Sequence, residues 1–140
     1  MTIKILMIDD DHDDQYLYRD LFLSLNQELD FECTDNAEAF FKHYPLDSGC
    51  KEACPDLIIL DMNLPKYNGL EIFLHIRQIE KLKQVPVIIL TTSSSPMDIE
   101  DSRKLGLHSY FIKPMDYTET KALVESIYNY WFKFNALMTQ

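Results

Sequence analysis

Glycine is nearly missing from this sequence, with three residues in 140. A nucleotide or flavin site built on a glycine-rich phosphate loop needs several glycines in one short stretch, and no such stretch exists. Cysteine is equally scarce, with three. Cys50 and Cys54 lie close together, but no second Cys or His pair completes a zinc set, and Cys33 stands alone. Reduced thiols are the main expectation, with a Cys50–Cys54 redox pair as the alternative. No apolar run approaches the ~20 residues of a membrane span. The short apolar run near the N-terminus is too brief for a signal peptide and lacks a small-residue cleavage site. Positive charge is also in deficit: 13 Lys and Arg stand against 23 Asp and Glu, a formal charge of -10. Nucleic-acid binding depends on basic patches, so that class is disfavoured. The expectation is a cytoplasmic protein that binds neither nucleic acid nor membrane.

What is present is a regular alternation. At 46% apolar residues the chain can bury a core in one domain. The run "IKILMI" (3–8) is a strand, followed by a helix from Asp13 to Asn26 with Leu17, Leu21 and Leu25 at helical spacing. "FECTD" (31–35) is a short strand, and "NAEAFFKHY" (36–44) a helix with Asn36 as its cap. Residues 45–55 read as a loop. "LIIL" (57–60), "VPVIIL" (85–90) and "SYFI" (109–112) are strands. Between and after them run helices over 69–82, over 96–105 with Pro96 in its first turn and Gly106 as its stop, and from Thr118 to Asn135. Strands separated by helices imply a doubly wound, five-stranded parallel α/β sheet, and their continuous apolar character predicts burial on both faces. No linker, repeat or biased segment divides the chain, so one domain over 1–140 without an output module is expected.

In such sheets ligands bind beyond the carboxyl ends of the strands. The first strand is followed by "DDDHDD", which holds five carboxylates in six positions. The third ends in Asp61, the fourth in Thr91 and Thr92, and the fifth in Lys113. Carboxylates brought this close repel and raise one another's pKa. A hard divalent cation such as Mg²⁺ or Mn²⁺ relieves that repulsion. One carboxylate then stays ionised as a nucleophile toward phosphorus, while Lys113 and a threonine hydroxyl stabilise charge, which are the parts phosphoryl transfer requires. The cluster itself divides. Asp9 and Asp10 are placed for the cation, although Asp10 and Asp11 form an alternative pair. Asp11, Asp13 and Asp14 suit the solvated first turn of a helix. His12, His43, His75 and His108 have no paired spacing and read as surface or packing residues.

The segments "ILMIDD", "PDLIILDMNLPKYNG", "VPVIILTT" and "YFIKP", in this order, resemble the receiver domain of two-component response regulators over roughly residues 3–130. The resemblance implies the flavodoxin-like receiver fold with strand order 2-1-3-4-5. It implies that Asp61 is the phosphoacceptor, that Asp10 ligates Mg²⁺ (or Mn²⁺) directly with Asp9 as its acidic partner, and that the Asn63 backbone carbonyl joins them. It makes Lys113 the lysine that contacts the phosphoryl group, with Pro114 behind it in what is often a cis peptide. Thr91 matches the switch hydroxyl and Tyr110 the switch aromatic, which turns inward on phosphorylation. Asn63 and Ser93 occupy two positions that vary in this family and tune phosphoryl lifetime. The implied partner is a histidine kinase or a histidine phosphotransfer protein. "TTSSSPMDI" and the tryptophan of the last helix also look similar to single-domain regulators paired with bacterial phytochromes.

Two other functions use related parts. An aspartate-nucleophile phosphohydrolase usually carries a second acid two residues beyond its nucleophile, where this chain has Asn63. A phosphorylation-independent scaffold usually lacks the acceptor or the lysine, and both are present here. The expectation is therefore a phosphoacceptor protein, with only self-catalysed phosphotransfer and dephosphorylation. In the last helix, Leu123, Ile127, Tyr130, Trp131 and Phe134 can form one core-facing stripe. Tyr128 and Phe132 would then be partly exposed, as ordinary scatter or as an interface. The family resemblance adds a possible homodimer through the face of the fourth helix, fifth strand and fifth helix.

Overall fold

The computed structural model describes residues 2–46, 54–107 and 109–136. Five strands, β1 (Lys4–Ile8), β2 (Asp30–Thr34), β3 (Leu57–Leu60), β4 (Val87–Thr91) and β5 (Tyr110–Ile112), form one parallel sheet in the order β2-β1-β3-β4-β5. Helices α1 (His12–Leu25), α2 (Ala37–His43), α3 (Gly69–Gln78), α4 (Pro96–Lys104) and α5 (Tyr117–Tyr128) follow the strands in turn. Doubly wound architecture and strand order are both as expected.

Period-two alternation sorts the strand side chains into two cores. Leu6, Ile8, Ile58, Leu60 and Ile89 face one side, where Phe40 of α2 and Ile72 and Ile76 of α3 cover them. Ile5, Met7, Ile59, Ile88 and Leu90 face the other, against Tyr18 and Phe22 of α1 and Val124 and Ile127 of α5. Because both faces are apolar, a one-residue slip costs little hydrophobic energy in the central strands. Their polar ends supply the missing specification, since a slip would carry Asp9 or Asp61 into the sheet without partners. The edge strands differ from the buried run expected of all five. β2 is only partly covered, and β5 is half-buried to exposed.

Each helix begins at a side-chain cap. Asp11, Asn36, Ser95 and Asp116 accept from the backbone of the first turns of α1, α2, α4 and α5. Asn68 and Glu71 form a reciprocal capping box on α3. Pro96 sits in the first turn of α4 as predicted, and Gly106 follows that helix at φ +90°, a left-handed conformation that suits a residue without Cβ.

Three boundaries depart from the sequence reading. The helix predicted over 69–82 ends at Gln78 and continues as a 3-10 turn at Glu80–Leu82, where the Arg77 guanidinium donates to the carbonyls of Leu82 and Val85. β4 begins at Val87 instead of 85, because Pro86 has no N–H for the ladder and serves only as an acceptor for Ile58. The last helix changes pitch: beyond α5, Asn129–Phe134 is a π-helix. Its wider turn brings Ile127 and Phe132, five apart, onto the buried face and rotates Tyr130 and Phe134 outward to 60% and 72% exposure. The predicted stripe therefore fails at Tyr130 and Phe134, while Leu123, Ile127 and Trp131 pack on the core as expected. Phe132 joins the core and Tyr128 packs half-buried beside it, its hydroxyl accepting from Asn26.

The Lys113–Pro114 peptide is trans, and no cis bond occurs among the described residues. The cis expectation is corrected; trans is the lower-energy isomer of X–Pro bonds. His75 is a packing residue, its ring against Phe41 and its Nε2 hydrogen-bonded to the Tyr44 carbonyl. His12 pairs with Asp35 on the surface. His108 and Cys50 lie outside the described residues, so the Cys50–Cys54 alternative does too.

Candidate functional site: an acidic rim around one lysine

Ladder hydrogen bonds run one residue past the strand ends and fix the rim. The Asp9 N–H donates to the Thr34 carbonyl (3.0 Å), that of Asp61 to Ile8 (3.0 Å), and that of Lys113 to Thr91 (2.7 Å). Residues beyond β1 and β3 are therefore held by backbone in adjacent rows, and Lys113 beyond β5 is held against the end of β4. Asp9, Asp10 and Asp61 each bring a carboxylate oxygen within 4.8 Å of the others. Asp9 is 1% exposed and Asp61 8%, whereas Asp10 is exposed. The sequence pairing of Asp9 with Asp10, instead of Asp10 with Asp11, matches this geometry, because Asp11 is occupied as the α1 cap.

The Lys113 ammonium sits among the acids. It lies 2.6 Å from Asp9 Oδ2, 2.6 Å from Asp14 Oδ2 and 3.6 Å from Asp61 Oδ2, with its side chain 7% exposed. Burial by itself would lower the lysine pKa, but hydrogen bonds to Asp14 and Asp9 outweigh it and hold the ammonium charged well above its ordinary range. For Asp9, burial dominates and pushes the carboxyl up to about 6, against the lowering effect of Lys113 and of the Asp11 N–H. Both Asp9 oxygens are engaged, Oδ1 by that N–H at 2.9 Å and Oδ2 by Lys113. Asp14, assigned from sequence to the solvated helix start, is instead an ion-pair partner of the site lysine. No spacing signal exposes this, since the partners lie 99 positions apart.

The loop between β3 and α3 closes over Asp61. The Asn63 N–H donates to Asp61 Oδ1 (3.2 Å), and an isolated bridge pairs Asn63 with Asn68. Gly69, which ends the motif "PDLIILDMNLPKYNG", donates to the Met62 carbonyl (2.8 Å). A Cβ there would meet the Asp61 carbonyl oxygen at 2.7 Å and Met62 Cα at 3.0 Å, both rigid backbone. Gly69→Ala is accordingly expected to shift the loop that carries Asp61 and to cost about 1–3 kcal/mol, measurable by urea denaturation. Sequence reading gave this glycine no role.

On the other flank Thr91 is fully buried at the end of β4 while Thr92 is exposed. Thr91 Oγ1 accepts from the Ser93 N–H (3.3 Å), Ser93 Oγ donates to Asp98 (2.7 Å), and the Tyr110 hydroxyl donates to the Ser93 carbonyl (2.9 Å). Tyr110 is half-buried against the α2–α3 core, and burial raises its pKa despite the Ser93 bond. Its ring already lies inward here, where the resemblance implied a turn on phosphorylation.

A set of hard carboxylate oxygens suits Mg²⁺ or Mn²⁺ and not a soft metal. The donor set of Asp9, Asp10 and Asp61 fits such an ion, with Asp9 sharing its oxygens with Lys113 and the Asp11 N–H.

Known proteins are similar to this chain in sequence and in fold. The response regulator receiver domain family matches residues 5–125. A relative from Methanothrix harundinacea, named "Probable methanogenesis regulatory protein FilR2", is 31% identical over 131 residues, covering 94% of this chain and 84% of that protein. The phosphorylated cyanobacterial phytochrome response regulator RcpA superposes with a TM-score of 0.88 at 25% identity, over 97% of this chain and 98% of its own. The Mn²⁺-bound response regulator Rcp1, from Synechocystis, gives 0.84 at 26% identity, over 96% and 97%. With the fold, the strand order and the sequence match in agreement, this chain belongs to the response regulator receiver domain family of two-component signalling proteins.

Proposed function

We propose that this receiver domain acts as a phosphorylation switch in which Asp61 accepts a phosphoryl group from a histidine kinase or a histidine phosphotransfer protein. The observation that carries this reading is the placement of a charged lysine 3.6 Å from Asp61 Oδ2, within a rim of two further carboxylates. An Asp61 oxygen attacks phosphorus as the bond from phosphorus to the donor imidazole nitrogen breaks. The imidazole keeps the electron pair and takes up a proton. Water reverses the change by attacking the same phosphorus and releasing the Asp61 carboxylate. A Mg²⁺ or Mn²⁺ ion held by Asp9, Asp10, Asp61 and the Asn63 carbonyl would neutralise phosphoryl oxygens. Lys113 supplies fixed charge 3.6 Å from Asp61 Oδ2, and the Thr91 hydroxyl would supply a hydrogen bond.

Output follows by population shift. Thr91 moving toward the phosphoryl group would release the Ser93 N–H and alter the loop to which Tyr110 is tied. Ile112 of β5 (47% exposed) and Tyr130 (60%) place apolar area on the α4–β5–α5 face, which would receive a partner or a second copy. The likeness to the phytochrome response regulator RcpA supports a phytochrome-linked kinase as the donor.

Incubation with acetyl phosphate and Mg²⁺, read by intact mass, tests the proposal. One added phosphoryl group, absent with EDTA, is expected; an unchanged mass would contradict it. Cation binding should also depend on pH through Asp9. Its carboxyl, raised to about 6, keeps a proton in the folded chain over a range where the unfolded chain has lost it. Its contribution to stability is therefore present at low pH and fades as pH rises through about 6, leaving an anion that a cation relieves. Affinity for Mn²⁺, followed by electron paramagnetic resonance, should fall about tenfold for each pH unit below 6.

A further inference from the structure

We infer that Asp14 is a positioning residue for Lys113, the second anchor that keeps its ammonium aimed at Asp61 when a cation competes for Asp9. This rests on the proposed role of Asp61 and deepens it. An ammonium has three N–H donors. In this structure one reaches Asp9 Oδ2 and one Asp14 Oδ2, both at 2.6 Å, which leaves the third for Asp61 at 3.6 Å. Two anchors from different elements, the end of β1 and the first turn of α1, fix a long side chain that one anchor would leave free to swing. They are not equivalent. Asp9 belongs to the carboxylate trio close enough to share an ion, and Asp14 does not. Whatever draws Asp9 toward a cation weakens the first anchor and leaves the second.

Asp14 can serve because its own place is set. Its backbone N–H is held by the Asp11 cap at 3.1 Å, and its side chain is three-quarters buried against the rim. Asp13, one position earlier, carries the same charge on an exposed face and is the natural control.

The experiment measures phosphorylation rate with acetyl phosphate at saturating Mg²⁺ for the wild-type chain, Asp14→Asn, Asp14→Glu and Asp13→Asn. Asp14→Asn should lower the maximal rate about tenfold, because a displaced ammonium no longer meets the transferring group. Mn²⁺ affinity should stay within about threefold, since the ion-sharing trio is intact. Asp14→Glu should recover most of the rate, and Asp13→Asn should match the wild type. A readout independent of activity is the Lys113 ammonium resonance in nitrogen-edited NMR of the metal-free chain. It should be protected in the wild type and in Asp14→Glu, and broadened by exchange in Asp14→Asn. Unchanged rate and resonance in a folded Asp14→Asn would overturn the inference while leaving Asp61 in place. An equal loss in Asp13→Asn would overturn it too, by assigning the effect to net charge. If Asp14→Asn does not fold, loss of rate in the charge-retaining Asp14→Glu with its resonance still protected counts against the inference. Failure of the wild-type chain to take up phosphoryl at all would sink the reading of Asp61 beneath it.

Discussion

Asp61→Asn should take up no phosphoryl group from acetyl phosphate, yet fold at least as stably as the wild-type chain. The two halves have separate causes. An amide is a far weaker nucleophile toward phosphorus than a carboxylate, so the acceptor is gone. The fold loses almost nothing, because the side-chain oxygen that accepts from the Asn63 N–H at 3.2 Å is retained in the amide. Lys113 keeps its two shorter partners, Asp9 and Asp14. Removing the Asp61 charge also takes away one of the influences that raise the Asp9 pKa. Stability should be equal or higher by up to about 1 kcal/mol, since close like charges are relieved. Intact mass and a thermal melt on the same sample read both parts. Retained uptake would move the acceptor elsewhere, and a large loss of stability would mean that the Asp61 charge is structural.

Lys113→Met should be damaging in both respects. Methionine keeps the length and the apolar stem but removes the only cation in contact with Asp9 among the described residues. Breaking a buried pair by deleting one partner costs about 3 kcal/mol near neutral pH. The sign of its pH dependence follows from Asp9. Without the lysine hydrogen bond and charge its pKa moves further up from about 6, so the carboxyl takes a proton sooner as pH falls. The stability deficit is therefore full above that pKa and shrinks toward pH 5. Urea denaturation at two pH values separates this from a simple packing defect, which would be the same at both. Phosphorylation should fall about a hundredfold at either pH, as for loss of one preorganised charge on a developing anion.

The strands, the helices and the rim were legible because each leaves a local mark. Continuous apolar runs gave β1, β3 and β4, and the polar residue ending each run gave Asp9, Asp61 and Thr91. Strand order came from the family resemblance and not from periodicity, which carries no information on neighbours. What stayed hidden depends on distance or on pitch. Asp14 looked like one of several acids at a helix start, and only the reach of the Lys113 side chain from the end of β5 to the first turn of α1 makes them partners. Gly69 looked like a loop glycine, although its hydrogen atom occupies space that a Cβ would need beside the Asp61 carbonyl. The aromatic stripe of the last helix held at Trp131 but failed at Tyr130 and Phe134, because helical periodicity assumes α pitch and the π segment places Phe132 inside.

The central claim is that phosphorus is held on Asp61 and on no other carboxylate of the rim. An acyl phosphate is reduced by borohydride to an alcohol, which marks the modified aspartate permanently. The wild-type chain, loaded with acetyl phosphate and Mg²⁺, reduced and digested, should show this mark by peptide mass at position 61 alone. A mark at position 9, 10 or 14, or none in a chain whose intact mass has risen, would contradict the account.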